Sequence, residues 1–327
     1  MGRRSRGWDD SKTFGTIDVV AAKAGRAPAL LNHNLRALVI GCGYVGVPLA
    51  KELLRHGHQV TGLTRSASHA KALFNEGISP MLADISRAED LARQAPAFDW
   101  VINLVSSGRG GMEAYRSVYL DGTRNVIAWL KTAPPRLFVA ASSTSVYGQA
   151  DGSPVTETGP TEPSSETGRI IVEMEQLLLS AASMDRLPVA LLRLAGIYGP
   201  GRTHLIDQFQ QPESGSSPTR IVNMIHRDDV IGAILAALAR GTPGQVYNVV
   251  DDEPVSRAEV FAWLAHRLPR EPAVRSGETA ATSPTRATTN KRVLNHKLKA
   301  ELGYALRYPT FREGFDRELK ECLAAES

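Results

Sequence analysis

The sequence has 327 residues, of which 43% are hydrophobic and 22% are charged, and its formal net charge is +4. This composition is typical of a globular protein that is long enough for one large α/β unit or two lobes. The positive charge is mild and forms no basic stripe beyond the first few residues, so we do not expect nucleic acid as a partner. No apolar run is long enough to cross a bilayer, so we expect no membrane partner.

The two cysteines, Cys42 and Cys322, are too few for a disulfide framework, so we predict a cytoplasmic protein. Residues 1–34 differ from the rest of the chain, since they begin basic, continue polar and end rich in alanine. We interpret them as a loosely ordered extension. A transit peptide is the alternative, although the acidic residues in this segment fit poorly with it.

From residue 35 onward, short apolar runs alternate with stretches of helical periodicity. Unbroken apolar runs of this length are typical of parallel strands that are buried on both faces by helices. The alternation therefore predicts an α/β fold, a Rossmann doubly wound parallel sheet. The predicted strands lie at residues 38–40, 58–63, 101–105, 137–141, 189–194 and 246–250, and the predicted helices at residues 45–55, 121–130, 169–181, 228–239 and 311–323.

A glycine-rich turn joins the first predicted strand to the first predicted helix. Gly41 allows the tight turn, Gly43 lets a pyrophosphate approach the backbone, and Gly46 permits close packing of helix on strand. The helix N-terminus beyond Tyr44 and Val45 favours negative phosphates. This context predicts a nicotinamide dinucleotide site. The alternative is a glycine turn that has lost its ligand.

The end of the second predicted strand bears on which dinucleotide is bound. NAD sites usually place an acidic residue here for the ribose 2′-hydroxyl, but this strand ends in Thr64 and Arg65, and no acidic residue occurs at positions 53–75. Thr64 is uncharged, so it does not repel a 2′-phosphate as an acidic residue would, and Arg65 is able to pair with such a phosphate. We therefore favour NADP over NAD, with a solvated loop arginine as the alternative interpretation of Arg65.

Longer motifs occur in order after the glycine turn. They are Leu82-Ala83-Asp84-Ile85, residues 99–105, residues 121–125, Ser142-Ser-Thr-Ser-Val-Tyr-Gly148, Arg193-Leu-Ala-Gly-Ile-Tyr-Gly-Pro-Gly-Arg202 and Ile225-His-Arg-Asp-Asp-Val230. With these motifs the chain resembles the extended short-chain dehydrogenase/reductase family, the NAD(P)-dependent epimerase/dehydratase group. The resemblance covers nearly everything after residue 34. It implies cofactor contacts from Asp84 and Ile85, near the adenine, and from Leu104 and Val105, beneath the cofactor.

The resemblance also implies how the chain is divided. Residues 35–250 would form the NAD(P)-binding domain, with an insertion near residues 200–222 that belongs to the substrate lobe. Residues 251–327 would form a smaller C-terminal substrate lobe. Related enzymes often dimerise through a pair of helices, so we expect a homodimer as the candidate assembly.

By the same resemblance, Ser143 lies where the family's substrate-orienting Ser or Thr lies. Tyr198 and Arg202, in the loop after a strand, are candidate substrate-binding residues. Tyr147 ends a strand near the expected cleft, but the resemblance implies a structural turn for it. His226 is a candidate base because it is a histidine, yet the resemblance implies that it orders the contact between the lobes.

The family's catalytic pair, a tyrosine followed four residues later by a lysine, is missing. Thr167 occupies the position of the tyrosine and Ile171 that of the lysine. Realignment does not restore the pair, because there is no tyrosine at positions 148–197 and no lysine at positions 132–290. The chain is thus similar to atypical members of the family.

These observations predict an NAD(P)-dependent oxidoreductase or epimerase-like enzyme that acts on a polar small molecule, such as a sugar nucleotide, by hydride transfer without the usual pair. The alternative is a non-catalytic NAD(P)-binding redox sensor or interaction protein. No cluster of histidine, cysteine and carboxylate residues with ligand spacing is evident, so we expect no metal.

Overall fold

The computed structural model describes residues 34–107, 111–202, 204–210, 217–268 and 289–326. The predicted extension at residues 1–34 lies outside the described residues except for Asn34.

The strands and helices alternate along the chain in the predicted manner. The strands are β1 (Arg36–Ile40), β2 (Gln59–Thr64), β3 (Ser79–Leu82), β4 (Trp100–Asn103), β5 (Leu137–Ser143), β6 (Pro154–Val155), β7 (Val189–Leu194), β8 (Gly196–Tyr198), β9 (Ile221–Val222), β10 (Met224–His226), β11 (Val246–Val249), β12 (Val255–Ser256) and β13 (Arg292–Val293). The helices are α1 (Gly46–Arg55), α2 (Ala67–Asn75), α3 (Ala88–Ala92), α4 (Gly111–Arg116), α5 (Gly122–Leu130), α6 (Glu166–Met184), α7 (His204–Gln210), α8 (Arg227–Arg240), α9 (Arg257–Arg267), α10 (His296–Leu302) and α11 (Phe311–Glu326).

Seven parallel strands form the central sheet in the order β3-β2-β1-β4-β5-β7-β11. The chain order reverses between β1 and β4, and at such a point the carboxyl ends of the strands leave a crevice for a ligand. The predicted Rossmann sheet is confirmed. It contains one strand more than the sequence pattern indicated, because β3 is an exposed edge strand that includes Pro80 and therefore lacks the apolar run of a central strand.

Two helices begin earlier than predicted. The helix expected from residue 169 begins at Glu166, where the Ser165 side chain caps it by accepting a hydrogen bond from the Gly168 N–H at 3.1 Å. The helix expected from residue 121 is the last part of a longer element. It starts as α4, passes through a π-helical turn at Ser117–Asp121 and continues as α5.

The main hydrophobic core lies on both faces of the sheet, and a second core lies beside it. Aromatic and aliphatic side chains form the second core: Tyr198, Ile206, Phe209, Met224, Val255, Val260, Leu264, Phe311 and Phe315. Four of these residues precede position 251, and two of the four, Ile206 and Phe209, lie within the predicted insertion near residues 200–222. Leu298 and Leu302 of α10, in contrast, belong to the main core. The division of the chain at residue 250 stays a prediction.

Among the described residues, no helix is long and apolar enough to span a bilayer. In the same part of the chain, no group of histidine, cysteine and carboxylate side chains is arranged to hold a metal ion.

Candidate functional site

A cavity of about 600 Å³ opens at the crevice between β1 and β4. It extends along the carboxyl ends of the neighbouring strands, since residues that end or follow β1, β2, β4, β5 and β7 line it. Every residue predicted to contact the cofactor lines this cavity: Gly41, Gly43, Tyr44, Val45, Gly46, Thr64, Arg65, Asp84, Ile85, Leu104 and Val105.

The glycine turn forms one wall of the cavity, and its geometry explains why glycine occupies two of the positions. Gly41 has a φ of +89°, and a Cβ on it would lie 2.8 Å from the backbone of Leu104. A Cβ on Gly46 would lie 2.4 Å from the carbonyl oxygen of Gly41. No side chain caps the first turn of α1. The turn therefore brings bare backbone against the cavity, as a pyrophosphate site requires.

At one end of the cavity lie Arg65 and the polar groups around it. Thr64 Oγ1 and His69 Nδ1 are 3.4 Å apart, and the Ser66 N–H donates to Thr64 Oγ1 at 3.3 Å. Arg65 Nη1 lies 3.6 Å from Asp84 Oδ2, with 65% of the arginine side chain exposed. Because the guanidinium is held at the rim and not buried, it is available to an anion in the cavity.

Asp84 is the acidic group at this end. Partial burial acts to raise the pKa of Asp84, but hydrogen bonds from Ser86 and the charge of Arg65 outweigh it, so the pKa is lowered overall. The Ser86 N–H and hydroxyl donate to Asp84 Oδ1 at 2.9 and 2.7 Å. The carboxylate is thus charged and oriented, and Oδ2, which is close to Arg65, keeps acceptor capacity for an adenine amine or a ribose hydroxyl.

The ring of Tyr44, which lines the cavity, is in contact with two arginines. The guanidinium carbon of Arg202 is 4.4 Å from the ring centroid and that of Arg227 is 5.3 Å from it. Arg202 also lines the cavity and is exposed. The cation–π contact holds a positive charge next to the glycine turn, where a phosphate or carboxylate of a ligand would meet it.

At the other end lie Ser143 and Ile171. Ser143 ends β5, and its hydroxyl accepts a hydrogen bond from the Ser145 N–H at 3.1 Å. Ile171 is 2% exposed and contributes an aliphatic wall where the family pattern has a lysine. Thr167 does not line the cavity, and its hydroxyl donates to Ser165 Oγ at 3.3 Å in the cap of α6. Neither Thr167 nor Ile171, at the positions where the sequence predicts the family's pair to be missing, has a side chain that acts as an acid or base near neutral pH.

A buried polar network holds the strand end that carries Ser143. Arg193 donates from Nε and Nη2 to both oxygens of Glu175, at 2.9 and 2.7 Å, and both side chains are almost fully buried. The Ser142 hydroxyl donates to Glu175 at 2.5 Å. Tyr147 accepts from Arg193 at 2.8 Å and donates to Asn248 at 2.7 Å. Tyr147 is thus a structural residue, as the sequence indicated.

Two predicted candidates lie away from the cavity. Tyr198 is 6% exposed and packs edge-on against His226 and Phe315, with ring centroids 5.3 and 4.8 Å away. It points into the second core because β8 pairs with β10 and carries it there. His226 is fully buried, accepts from the Asp228 N–H and contacts Glu318 at 3.2 Å, so it joins α8 to α11.

A lysine also lies behind the Ser143 strand end, although it does not line the cavity. Lys291 Nζ donates to the Tyr147 carbonyl at 2.7 Å. Burial, aided by the charge of Arg220, lowers the pKa of Lys291 to about 8. Its position supports the turn at Tyr147.

The cavity residues that were not singled out from the sequence include His69, Tyr115 and Tyr119. His69 follows Thr64 and Arg65 by one helical turn, and that spacing was the available signal. The two tyrosines come from α4 and the π-helical turn, before the point at which the sequence predicted a helix to begin, so no signal placed them at the site.

A model of the NAD dependent epimerase/dehydratase family matches residues 37–250. Protein YeeZ of Escherichia coli is 30% identical over 84% of this chain and 96% of its own length. A 3-diazoavenalumate denitrifying reductase from a Streptomyces species is 28% identical over 87% of this chain and the whole of its own. A solved structure of a putative NAD-dependent epimerase/dehydratase from Methylobacillus flagellatus is 31% identical over 89% of this chain and 99% of its own, with a TM-score of 0.71.

Proposed function

The chain belongs to the NAD dependent epimerase/dehydratase family, and we propose that it is an oxidoreductase that binds NADP in preference to NAD and transfers hydride to or from a polar substrate. One observation carries this proposal. A single cavity joins the glycine turn to Ser143, so a dinucleotide laid on the turn would bring its nicotinamide end toward a group that can orient a substrate.

The residues present fit a dinucleotide. Gly41 and Gly46 admit only a bare backbone, and Gly43 has no atom within 4 Å of a Cβ position, so the space above it is open for phosphates. Asp84 and Arg65 provide an acceptor and a cation at the far end. When bound, the dinucleotide would supply the hydride acceptor or donor, and the chain's own residues would hold and orient it.

The preference for NADP rests on Arg65 and on the uncharged Thr64 beside it. The contact of Arg65 with Asp84 leaves the guanidinium of Arg65 exposed at the cavity rim. A 2′-phosphate at the rim would be a second anion beside this guanidinium, in addition to the Asp84 carboxylate. His69, whose Nδ1 lies 3.4 Å from Thr64 Oγ1, adds another polar group at the same place. The charge of Arg65 favours an anionic ligand group here.

We expect Arg65→Ala to weaken NADPH binding roughly 10-fold, about 1.4 kcal/mol, and to change NADH binding less than about twofold. The loss is modest because the side chain is mostly exposed and water screens its charge. Isothermal titration calorimetry with each nucleotide measures both values. Arg87→Ala, an exposed arginine outside the cavity, is the matched control. Equal affinities of the unaltered protein for NADPH and NADH would contradict the preference.

The substrate is proposed to be an anionic or otherwise polar small molecule, with sugar nucleotides as the first class to test. Arg202 supports this, because its guanidinium lies at the cavity against Tyr44 and is able to pair with a phosphate or carboxylate. Relatives named UDP-glucose 4-epimerase and a reductase of a diazo compound support redox chemistry on polar molecules. The test is NADPH oxidation, or NADP⁺ reduction, against panels of sugar nucleotides and of polar carbonyl compounds.

A non-catalytic binding module is the second candidate, and the aliphatic Ile171 at the lysine position favours it. The open space beside Ser143 favours an enzyme, because a module that only senses the dinucleotide has no need of room for a substrate. Tight NADPH binding with no turnover on either panel would favour the module. The homodimer and the cytoplasmic location remain predictions.

A further inference from the structure

Two tyrosines that the family pattern does not assign line the cavity together with Ser143. Tyr115 is the last residue but one of α4, and Tyr119 lies four residues later in the π-helical turn Ser117–Asp121. Their rings are in contact, with centroids 4.4 Å apart and planes inclined by 40°. A π-helical turn inside a longer helix is rare and is frequently found at functional sites.

The position of this turn relative to α6 makes the two tyrosines relevant to catalysis. Arg116, next to Tyr115, donates to Glu166 at 3.4 Å, and Glu166 precedes Thr167, the residue in place of the family's tyrosine. On its other side, the helix rests on Ile85, since a Cβ on Gly122 would lie 2.7 Å from Ile85 Cδ1. The π-helical turn is therefore held between the adenine end of the cavity and the start of α6.

The surroundings of the Tyr119 hydroxyl raise its pKa overall, although two hydrogen-bond donors act in the opposite direction. Burial, the largest effect, raises its pKa, while hydrogen bonds from the Ser107 N–H and from Tyr115 partly oppose that rise. Burial also raises the pKa of Tyr115, and so does its interaction with Tyr119. Both phenols consequently hold their protons at neutral pH. Tyr119 is positioned to give up a proton while two donors remain on its oxygen.

Resting on the proposed redox function, we propose that Tyr119 is the proton donor of the site and that Tyr115 positions it and returns its proton, in place of the absent tyrosine–lysine pair. Reduction of a carbonyl needs a hydride, which bound NADPH supplies, and a proton on the oxygen. The Tyr119 O–H bond breaks as the new O–H bond forms on the substrate. The Tyr119 phenolate then takes the Tyr115 proton, and Tyr115 recovers one from water in the cavity.

Among the described residues, two charged groups of the same helical element are paired. Arg116 of α4 pairs with Glu166 of α6, and Asp121 pairs with Arg124 at 3.0 Å. Tyr115 has a hydrogen bond to Tyr119, so its removal changes the pKa of Tyr119 in a predictable direction. Without the Tyr115 donor, the phenolate of Tyr119 is less stable, so the pKa of Tyr119 rises.

The test places 3-fluorotyrosine at position 119 of the full chain and follows its ¹⁹F resonance against pH, because fluorination brings the phenol into a range in which the protein stays folded. We expect saturating NADP⁺ to lower the pKa at position 119 by about one unit, since the positive nicotinamide ring would lie beside it. Tyr115→Phe should raise that pKa. The control is 3-fluorotyrosine at position 247, on the edge strand β11 and away from the cavity, which should not respond.

Activity provides the second measurement. With any substrate that the panels reveal, Tyr119→Phe should lower kcat at least about 100-fold with little change in KM. Tyr115→Phe should lower kcat less and move the alkaline limb of the pH profile, which loss of packing alone would not do. Melting temperatures of both variants monitor folding.

Three outcomes decide the matter. A lower pKa at position 119 on NADP⁺ binding, with no change at position 247, supports the assignment of Tyr119 as the proton donor. If calorimetry shows that NADP⁺ is bound and the pKa at position 119 does not change, the proposed role of Tyr119 is overturned. The proposed function is then unaffected. Absence of any NADP⁺ or NAD⁺ binding by calorimetry overturns the proposed function, and this assignment with it.

Discussion

Glu175→Ala is expected to lower the free energy of unfolding by about 3–5 kcal/mol. The substitution leaves the buried guanidinium of Arg193 without its charge partner and takes away the acceptor of the Ser142 hydroxyl. A buried charge that loses its only carboxylate is far more costly than an exposed one, because water cannot reach it. Urea unfolding followed by circular dichroism measures the change.

A matched control lies two residues earlier on the same helix. Glu173 pairs with Arg124 at 3.2 Å, but about half of each side chain is exposed. Glu173→Ala should therefore cost less than about 1 kcal/mol. Glu175→Gln keeps the shape of the side chain and one acceptor oxygen. Its loss of unfolding free energy should therefore lie between those of Glu175→Ala and Glu173→Ala. A loss below about 1 kcal/mol for Glu175→Ala would show that the pair does not support the fold as described.

This network matters to function because it holds β5 in register under the cavity. Ser142 hydrogen-bonds to Glu175, while its neighbour Ser143 faces the cavity. Successive residues of a strand point to opposite faces, so fixing Ser142 also fixes the direction of Ser143. The sequence motif that contains both serines was recognised. The different roles of Ser142, which supports the strand, and Ser143, which faces the cavity, depend on Glu175, which is 33 residues from Ser142 in the chain.

The local parts of the site could be predicted from the sequence. The strand, the glycine turn and the helix at residues 36–55 form a contiguous unit whose spacing determines its geometry. Thr64 and Arg65 follow directly from the end of the next strand. Asp84 and Ser143 came from family motifs and also line the cavity.

The parts built from distant segments could not be predicted in the same way. Tyr198 lies in a family motif, yet the pairing of β8 with β10 turns its ring into the second core. Tyr119 belongs to no quoted motif, yet the π-helical turn brings it to the cavity. Periodicity reports which face of an element is apolar, and it does not report which element that face meets.

Gly43→Ala is expected to separate ligand binding from folding. Gly41 and Gly46 cannot accept a Cβ without a clash against backbone, so substitutions there would disturb the fold itself. Gly43 has an ordinary φ, and nothing lies within 4 Å of a Cβ on it. The free protein therefore has room for the methyl group, and its unfolding free energy should change by less than about 1 kcal/mol.

A bound pyrophosphate would occupy that same space. We expect Gly43→Ala to weaken both NADPH and NADH by about 1–3 kcal/mol, roughly 5- to 150-fold, because the methyl group and the phosphates would compete for one volume. Calorimetry gives the affinities and urea unfolding gives the stability of the same preparation. The control is Gly57→Ala, which also has open space for a Cβ but a φ of +80°. It should lose stability through backbone strain and keep its affinity for both nucleotides. Unchanged binding by Gly43→Ala would place the dinucleotide elsewhere than on the glycine turn.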